Sequence, residues 1–252
     1  MRIFSDCREL MSELGRELNS YGIIVKPKHY QNKNIEGDSN FFTKELICQT
    51  YCLTSLDKYE YLFAYTHDLD WAIEEFKERV SGYDLNPGKA WLLRDDVWRQ
   101  FLNKSGRFDY TYPERINRST VEGCKKRTNL NAIIDLLRDD QDTRKAVLSI
   151  YEPCLDAEHY FGDERIPCSM YYDFLIRDSG NGKQLNITYH QRSSDFVCHF
   201  GNDVYLAFKL MEYVADKVDV KPGYLFHTVD SLHAYQKDWP MLSSNIDDIV
   251  IF

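Results

Sequence analysis

Residues 203–217 (DVYLAFKLMEYVADK) constrain the fold most. Val204, Leu206, Ala207, Phe208, Leu210, Met211 and Val214 leave little polar surface on the helix they predict. A helix that is apolar over much of its circumference is central, with other elements packed around it. The preceding segments supply a covering layer. MYYDFLIRD (170–178) and LNITYHQR (185–192) read as strands joined by Ser179-Gly180-Asn181-Gly182-Lys183, a hairpin-type connection. In the second strand Leu185, Ile187 and Tyr189 alternate with Asn186, Thr188 and His190, so one face is buried. AVLSIY (146–151) adds a short strand, and Pro222-Gly223 turns the chain into a last one, YLFHTV (224–229).

Upstream, Leu10, Met11, Leu14 and Leu18 share one face of an amphipathic helix over 8–19. Residues 45–53 read as a strand, 69–80 as a helix bearing Glu74, Glu75 and Glu78, and 96–102 as a short helix around Trp98. The polar stretch 103–127 is expected to be looped. Asn129 can cap a helix whose inner face is Leu130, Ile133, Ile134 and Leu137. Nothing repeats and no linker interrupts the chain. The expectation is one α/β domain over 1–252, a mostly antiparallel or mixed sheet packed by helices.

Composition narrows the function. A formal net charge of −9 makes the protein a poor binder of nucleic-acid duplex, so any phosphate must be held by a few local Arg and Lys. That favours a small nucleotide. Seven cysteines, at 7, 48, 52, 124, 154, 168 and 198, include no CxxC pair. They form neither a zinc site nor a disulfide framework and suit a reducing cytosol, so no metal is expected. The N-terminus lacks an apolar signal region and no apolar run approaches membrane-spanning length, so a soluble cytoplasmic location is expected.

Three polar clusters lie in the second half, each placed by this reading where a strand ends. They are Arg165-Ile166-Pro167-Cys168, then Gln191-Arg192-Ser193-Ser194-Asp195 with Gly201-Asn202-Asp203, and Asp230-Ser231-Leu232-His233-Ala234-Tyr235. Loops and strand ends on a rigid scaffold are where functional side chains concentrate. Singly, each has a plain structural reading. Cys168 is a buried thiol, Asp203 an acid favoured at a helix start, and Glu75 a surface glutamate.

Together and in this order, the clusters resemble the thymidylate synthase superfamily, and within it the phage deoxycytidylate hydroxymethylase branch. The Pro-Cys pair, the Gln-Arg-Ser-x-Asp run and the His-x-Tyr run carry the resemblance, with Asp142-Thr143-Arg144-Lys145 similar to the family's Asp-Ser-Arg-Arg segment. The resemblance implies a thymidylate synthase-like fold, a homodimer formed sheet to sheet with shared active sites, and 5,10-methylenetetrahydrofolate as co-substrate. It implies that Cys168 adds to C6 of a pyrimidine nucleoside monophosphate. Arg192 and Ser193 would hold the phosphate, together with Arg144 and Lys145 from the other subunit. His233 and Tyr235 would bond the sugar. Gln191 and Asn202 would join the nucleotide contacts, and Lys28 falls where the phage enzymes have a basic phosphate contact. Asp195 would meet the pterin, with Trp98 and Tyr112 at the positions of pocket aromatics, Tyr112 among the catalytic groups. Glu75 would be the catalytic glutamate, with Glu74 as its one-residue alternative.

Asp203 stands where thymidylate synthases carry Asn and cytidylate enzymes carry Asp. An amide matches uracil O4 and N3–H, whereas a carboxyl accepts from the cytosine amino group and, if a proton is present, satisfies N3. The implied reaction is C5 hydroxymethylation of dCMP or CMP, with C5 methylation of dCMP or dUMP as the alternative and a catalytically dead nucleotide-binding homologue as a third reading. The sequence departs from the family at His199, where Gly is usual beside the folate, at Ser169 after the nucleophile, and at Lys145, which keeps a charge but loses the Arg fork. Its apolar end, Ile249-Val250-Ile251-Phe252, could close over the site.

Overall fold

The computed structural model describes residues 1–30, 33–118, 129–157 and 164–250. The chain begins with β1 (Arg2–Phe4), α1 (Cys7–Tyr21), β2 (Ile23–Val25), a small hairpin of β3 (His29–Tyr30) and β4 (Lys33–Asn34), and β5 (Thr43–Leu53). Then come α2 (Leu69–Arg79), α3 (Asp95–Trp98), α4 (Tyr112–Asn117), α5 (Asn129–Asp139), β6 (Val147–Ser149) and α6 (Pro153–Asp156). The last third holds β7 (Ser169–Asp178), β8 (Lys183–Gln191), β9 (Ser194–Asp195), α7 (Gly201–Lys217), β10 (Lys221–Tyr235) and α8 (Trp239–Leu242).

The main sheet runs β1-β5-β10-β8-β7-β6, with β2 added to β5 and β9 to β10. It is mixed: β10 is antiparallel to β5 and parallel to β8, and β8 is antiparallel to β7. Alternation decides which face is covered. Phe174, Ile176, Leu185, Ile187, Leu225 and Val229 are fully buried on one side, where α7 packs on β8 and β10 and α1 on β5. On the other side Thr188 and His190 stay half-exposed, as do Phe226 and Thr228.

Local chemistry explains the helices. Asp6 caps α1 by accepting from the backbone N–H of Glu9, and Leu10, Leu14 and Leu18 beneath it are 0% exposed. Each such leucine contributes about 2 kcal/mol. The apolar helix expected near 203 is α7, and it begins two residues earlier, at Gly201, after a wide turn over Phe196–Phe200. Gly201 is required by close approach: a Cβ there would lie 1.8 Å from the Leu62 carbonyl oxygen.

Two expectations change. The stretch 103–127 is not all loop, because Thr111 caps α4 by accepting from Glu114 N–H, with Pro113 in the first turn. Residues 119–128, including Cys124, lie outside the described residues. The final strand continues far past 229, to Tyr235, because Ser231–Tyr235 keep pairing with β5; His233 and Tyr235 therefore sit on the strand rather than beyond it. Of the apolar end, Ile249 and Val250 pack against the core, while Ile251 and Phe252 lie outside the described residues. Among the described residues no helix is long and apolar enough to cross a membrane.

Candidate active site

The β7–β8 pairing sets the centre of the site. Ser169 at the head of β7 faces Gln191 at the end of β8, and the Arg192 N–H donates to the Cys168 carbonyl at 2.9 Å. The Arg192 side chain, itself exposed, donates from Nε to the Pro167 carbonyl and from Nη2 to the Ile166 carbonyl, each at 2.9 Å. It fixes the peptide that presents Cys168. Burial pushes the Cys168 thiol up, Asp203 adds to the rise, and Arg192 and Arg165 oppose it. Arg192 thus favours the thiolate, but desolvation outweighs it.

Asp203, in the first turn of α7, accepts at Oδ2 from Gln191 Nε2 (2.8 Å) and from the Ser194 hydroxyl (3.0 Å). Burial pushes its carboxyl up against those bonds and the charges of Arg79 and Arg94. An acid that only capped a helix would face water; this one is tied into the strand ends that flank Cys168.

Helix α2 resolves the choice between neighbouring glutamates. Glu74 pairs with Lys77 at the surface, whereas Glu75 is 9% exposed and accepts from Arg79 Nε at 2.9 Å. The Arg79 guanidinium is 4% exposed and lies 4.3 Å from the centre of the Tyr112 ring. One buried cation therefore sits beside Glu75 and Tyr112 and within electrostatic reach of Asp203. The sequence reading missed Arg79, although its i+4 spacing from Glu75 is the usual signature of a helical ion pair.

On the other flank, Trp98 stacks with Trp71 (6.4 Å, 21°) and faces His199 (6.0 Å). The Arg165 guanidinium lies 5.0 Å from the Trp98 ring, and Trp98 Nε1 is buried without an acceptor among the described residues. Burial and the Arg94 charge push His199 down to about 4, so it is neutral near pH 7. Asp195 accepts through Oδ1 from Val197 N–H and Cys198 N–H, and β9 places it opposite His233 on β10. His233 lies edge-on to Tyr235 (5.4 Å). An aromatic face with an orphaned N–H and a nearby carboxylate suits a flat heterocycle with hydrogen-bonding edges.

Asn202, expected among the nucleotide contacts, meets Asp68 in this structure. Its Nδ2 donates to Asp68 (3.2 Å), which also pairs with buried Arg94 at 2.9 Å. Its Oδ1 is buried with no donor among the described residues. Ser193 is half-exposed, and Arg144 and Lys145 are exposed just before β6. Lys28 pairs with Glu36 at 3.1 Å in the small hairpin, so its charge is already partnered. Asp195, Cys198 and Asp238 bring potential ligand atoms within 4.8 Å of one another, and burial and Asp195 push the Cys198 thiol up.

The thymidylate synthase family model matches residues 73–248. A Methanosarcina barkeri protein described as "Putative thymidylate synthase" is 31% identical over 142 residues, 56% of this chain and 60% of that one. The chain thus spans about 60% of the length of the curated relatives it matches first. The deoxyuridylate hydroxymethyltransferase of Bacillus phage SP01 is 30% identical over 182 residues, 64% of this chain and 46% of the relative. The solved structure of thermostable thymidylate synthase A from Bacillus subtilis superposes with a TM-score of 0.72 at 13% identity, over 96% of this chain and 84% of that one.

Proposed function

The chain belongs to the thymidylate synthase family, with that family's fold, and on that premise we propose that it is a one-carbon transferase acting at C5 of a cytidine monophosphate, dCMP or CMP, with hydroxymethylation as the outcome. The observation that carries the reading is the placement of Asp203: a half-buried carboxyl, pushed up by desolvation, whose Oδ2 is filled by Gln191 and Ser194 and whose Oδ1 has no partner among the described residues. An oxygen left open in a desolvated site, able to accept or, when protonated, to donate, matches the edge of cytosine. A site built to one hydrogen-bond pattern rejects the other because a buried polar group is left unpaired.

In this mechanism Cys168 gives up its proton and Sγ bonds to C6, which places carbanion character on C5. Methylenetetrahydrofolate supplies the one-carbon unit when bound, Trp98, His199 and Asp195 being the residues that suit it. Water completes the product: the ring loses its C5 proton and gains CH2OH in its place, tetrahydrofolate leaves, and the Sγ–C6 bond breaks to return Cys168 as a thiol. Glu75, fixed by Arg79, orders water and relays protons beside Tyr112. Arg192 and Ser193 bind phosphate at the strand end, and His233 and Tyr235 meet the sugar. The half-exposed sheet face, with Ile47 and Val147 exposed on its strands, suits a second copy of the chain, which would bring Arg144 and Lys145 to the partner's phosphate.

The names of the relatives favour a second reading, turnover of dUMP, either to its hydroxymethyl product or by methylation to dTMP. Incubation with methylenetetrahydrofolate and dCMP, CMP or dUMP, followed by nucleotide mass, separates the two. Hydroxymethyl gain on a cytidine nucleotide, shifted toward dUMP by Asp203→Asn, is the expected result. Turnover of dUMP alone by the unaltered protein overturns the cytidine reading, and a methyl gain overturns the final step.

A further inference from the structure

Behind Gln191 the hydrogen bonds continue into the core. Gln191 Oε1 lies 2.9 Å from His227 Nε2, and His227 Nδ1 lies 2.7 Å from the Tyr51 hydroxyl. Tyr51, His227 and Gln191 are each 0% exposed. The imidazole is clamped between Tyr189 (4.6 Å, 12°) and Phe200 (5.9 Å, 8°), with Tyr51 edge-on at 5.3 Å. Four residues from β5, β10, β8 and α7 thus form one line ending on the Asp203 carboxyl.

The direction of this line is set by its ends. His227 is the partner of the Tyr51 hydroxyl, so a Tyr51 O–H that did not donate to Nδ1 would be a buried donor without an acceptor, at a cost of about 1–3 kcal/mol. With Tyr51 donating, Nδ1 is an acceptor and Nε2 carries the ring proton. Nε2–H then donates to Gln191 Oε1, and the Gln191 amide N–H must point at Asp203 Oδ2, where Ser194 also donates. Two donors on Oδ2 leave Oδ1 as the one position for any proton the carboxyl carries.

We propose that Tyr51 and His227 are positioning residues for base selection: they polarise Gln191 so that Asp203 keeps Oδ2 as an acceptor and offers Oδ1 to the pyrimidine. Neither residue touches the substrate, and the proposal rests on Asp203 being the base reader. Reversing the line would turn the Gln191 carbonyl onto Asp203, draw the proton to Oδ2 and leave Oδ1 a plain acceptor, blurring the distinction between the two bases. Burial, which also pushes the His227 ring down to about 3, keeps the imidazole neutral and so able to transmit one direction only.

The test uses the full chain with Tyr51→Phe, His227→Phe, His227→Gln and Asp203→Asn, scoring kcat/KM for dCMP against dUMP alongside long-range 15N–1H NMR of His227. The unaltered protein is expected to show protonated Nε2 and bare Nδ1. Tyr51→Phe and His227→Phe are expected to lower the dCMP-to-dUMP preference about tenfold, the scale of one buried hydrogen bond to a charged group. His227→Gln, whose amide N–H reaches Gln191, is expected to restore it. A bare Nε2, or a preference unmoved by both Phe variants while Asp203→Asn shifts it, overturns the proposal and leaves the base reader intact. A preference unmoved by Asp203→Asn removes the reading beneath it, and the proposal with it.

Discussion

Replacing His227 by Gln isolates the electrostatic burden of one buried ring. His227 is 0% exposed, stacked on Tyr189 and bonded at both nitrogens. Burial, reinforced by His190, pushes its pKa from the ordinary 6.5 to about 3. In the unfolded chain the ring protonates near the ordinary value, so between those two limits acid favours unfolding. Stability that depends on the neutral ring is complete above about pH 6.5 and is lost as the pH falls, by about 1.4 kcal/mol per unit. Across one and a half units, to pH 5, the loss is about 2 kcal/mol. Urea unfolding of the unaltered protein and of His227→Gln, at pH 8 and pH 5, reads it directly. At pH 8 the variant is expected to be the less stable by about 1–3 kcal/mol, having lost ring packing. At pH 5 that gap is expected to shrink by about 2 kcal/mol, because only the histidine is penalised by acid. A gap that stays constant with pH would refute the reasoning, since it would mean the folded ring titrates as it does in water.

Other consequences are open to the same kind of measurement. Arg79→Met should destabilise the fold by about 3–5 kcal/mol by stranding the Glu75 carboxylate, and the Glu75→Gln/Arg79→Met pair should cost less than the sum of the single changes in urea titrations. Gly201→Ala forces α7 off the Leu62 carbonyl, and a loss of about 3 kcal/mol in thermal unfolding is expected. Alkylation of Cys168 by iodoacetamide should be slower at neutral pH than that of a free thiol and should rise with pH beyond the ordinary thiol range, because burial and Asp203 disfavour the thiolate. Arg192→Gln should slow it further; an alkylation rate equal to a free thiol's at pH 7 contradicts the burial argument.

What could be read from the sequence was local. The stripe Leu10, Leu14, Leu18, the alternation along 185–191 and the apolar 203–217 segment each specify a period, and the structure buries those residues. The order of Pro-Cys, Gln-Arg-Ser-x-Asp and His-x-Tyr pointed to the family that the later comparisons show. Spatial partnerships were not legible. Tyr51 and His227 are 176 positions apart, and nothing in the sequence around either marks a shared hydrogen bond. Arg79 was not singled out at all, and it is α2 that turns it inward with Glu75. The Asn202–Asp68 bond was equally hidden: one step along a helix rotates a side chain by about 100°, so Asn202 meets Asp68 while its neighbour Asp203 meets Gln191 and Ser194.

The most direct test of the account is the intact mass of the protein after incubation with methylenetetrahydrofolate and 5-fluoro-dCMP, whose fluorine cannot leave C5 as a cation. A covalent adduct carrying both nucleotide and folate, mapped to Cys168 and lost in Cys168→Ser, is the predicted result. An adduct formed by Cys168→Ser, or one mapped to a different cysteine, would contradict Cys168 as the nucleophile, and with it the reaction proposed for this chain.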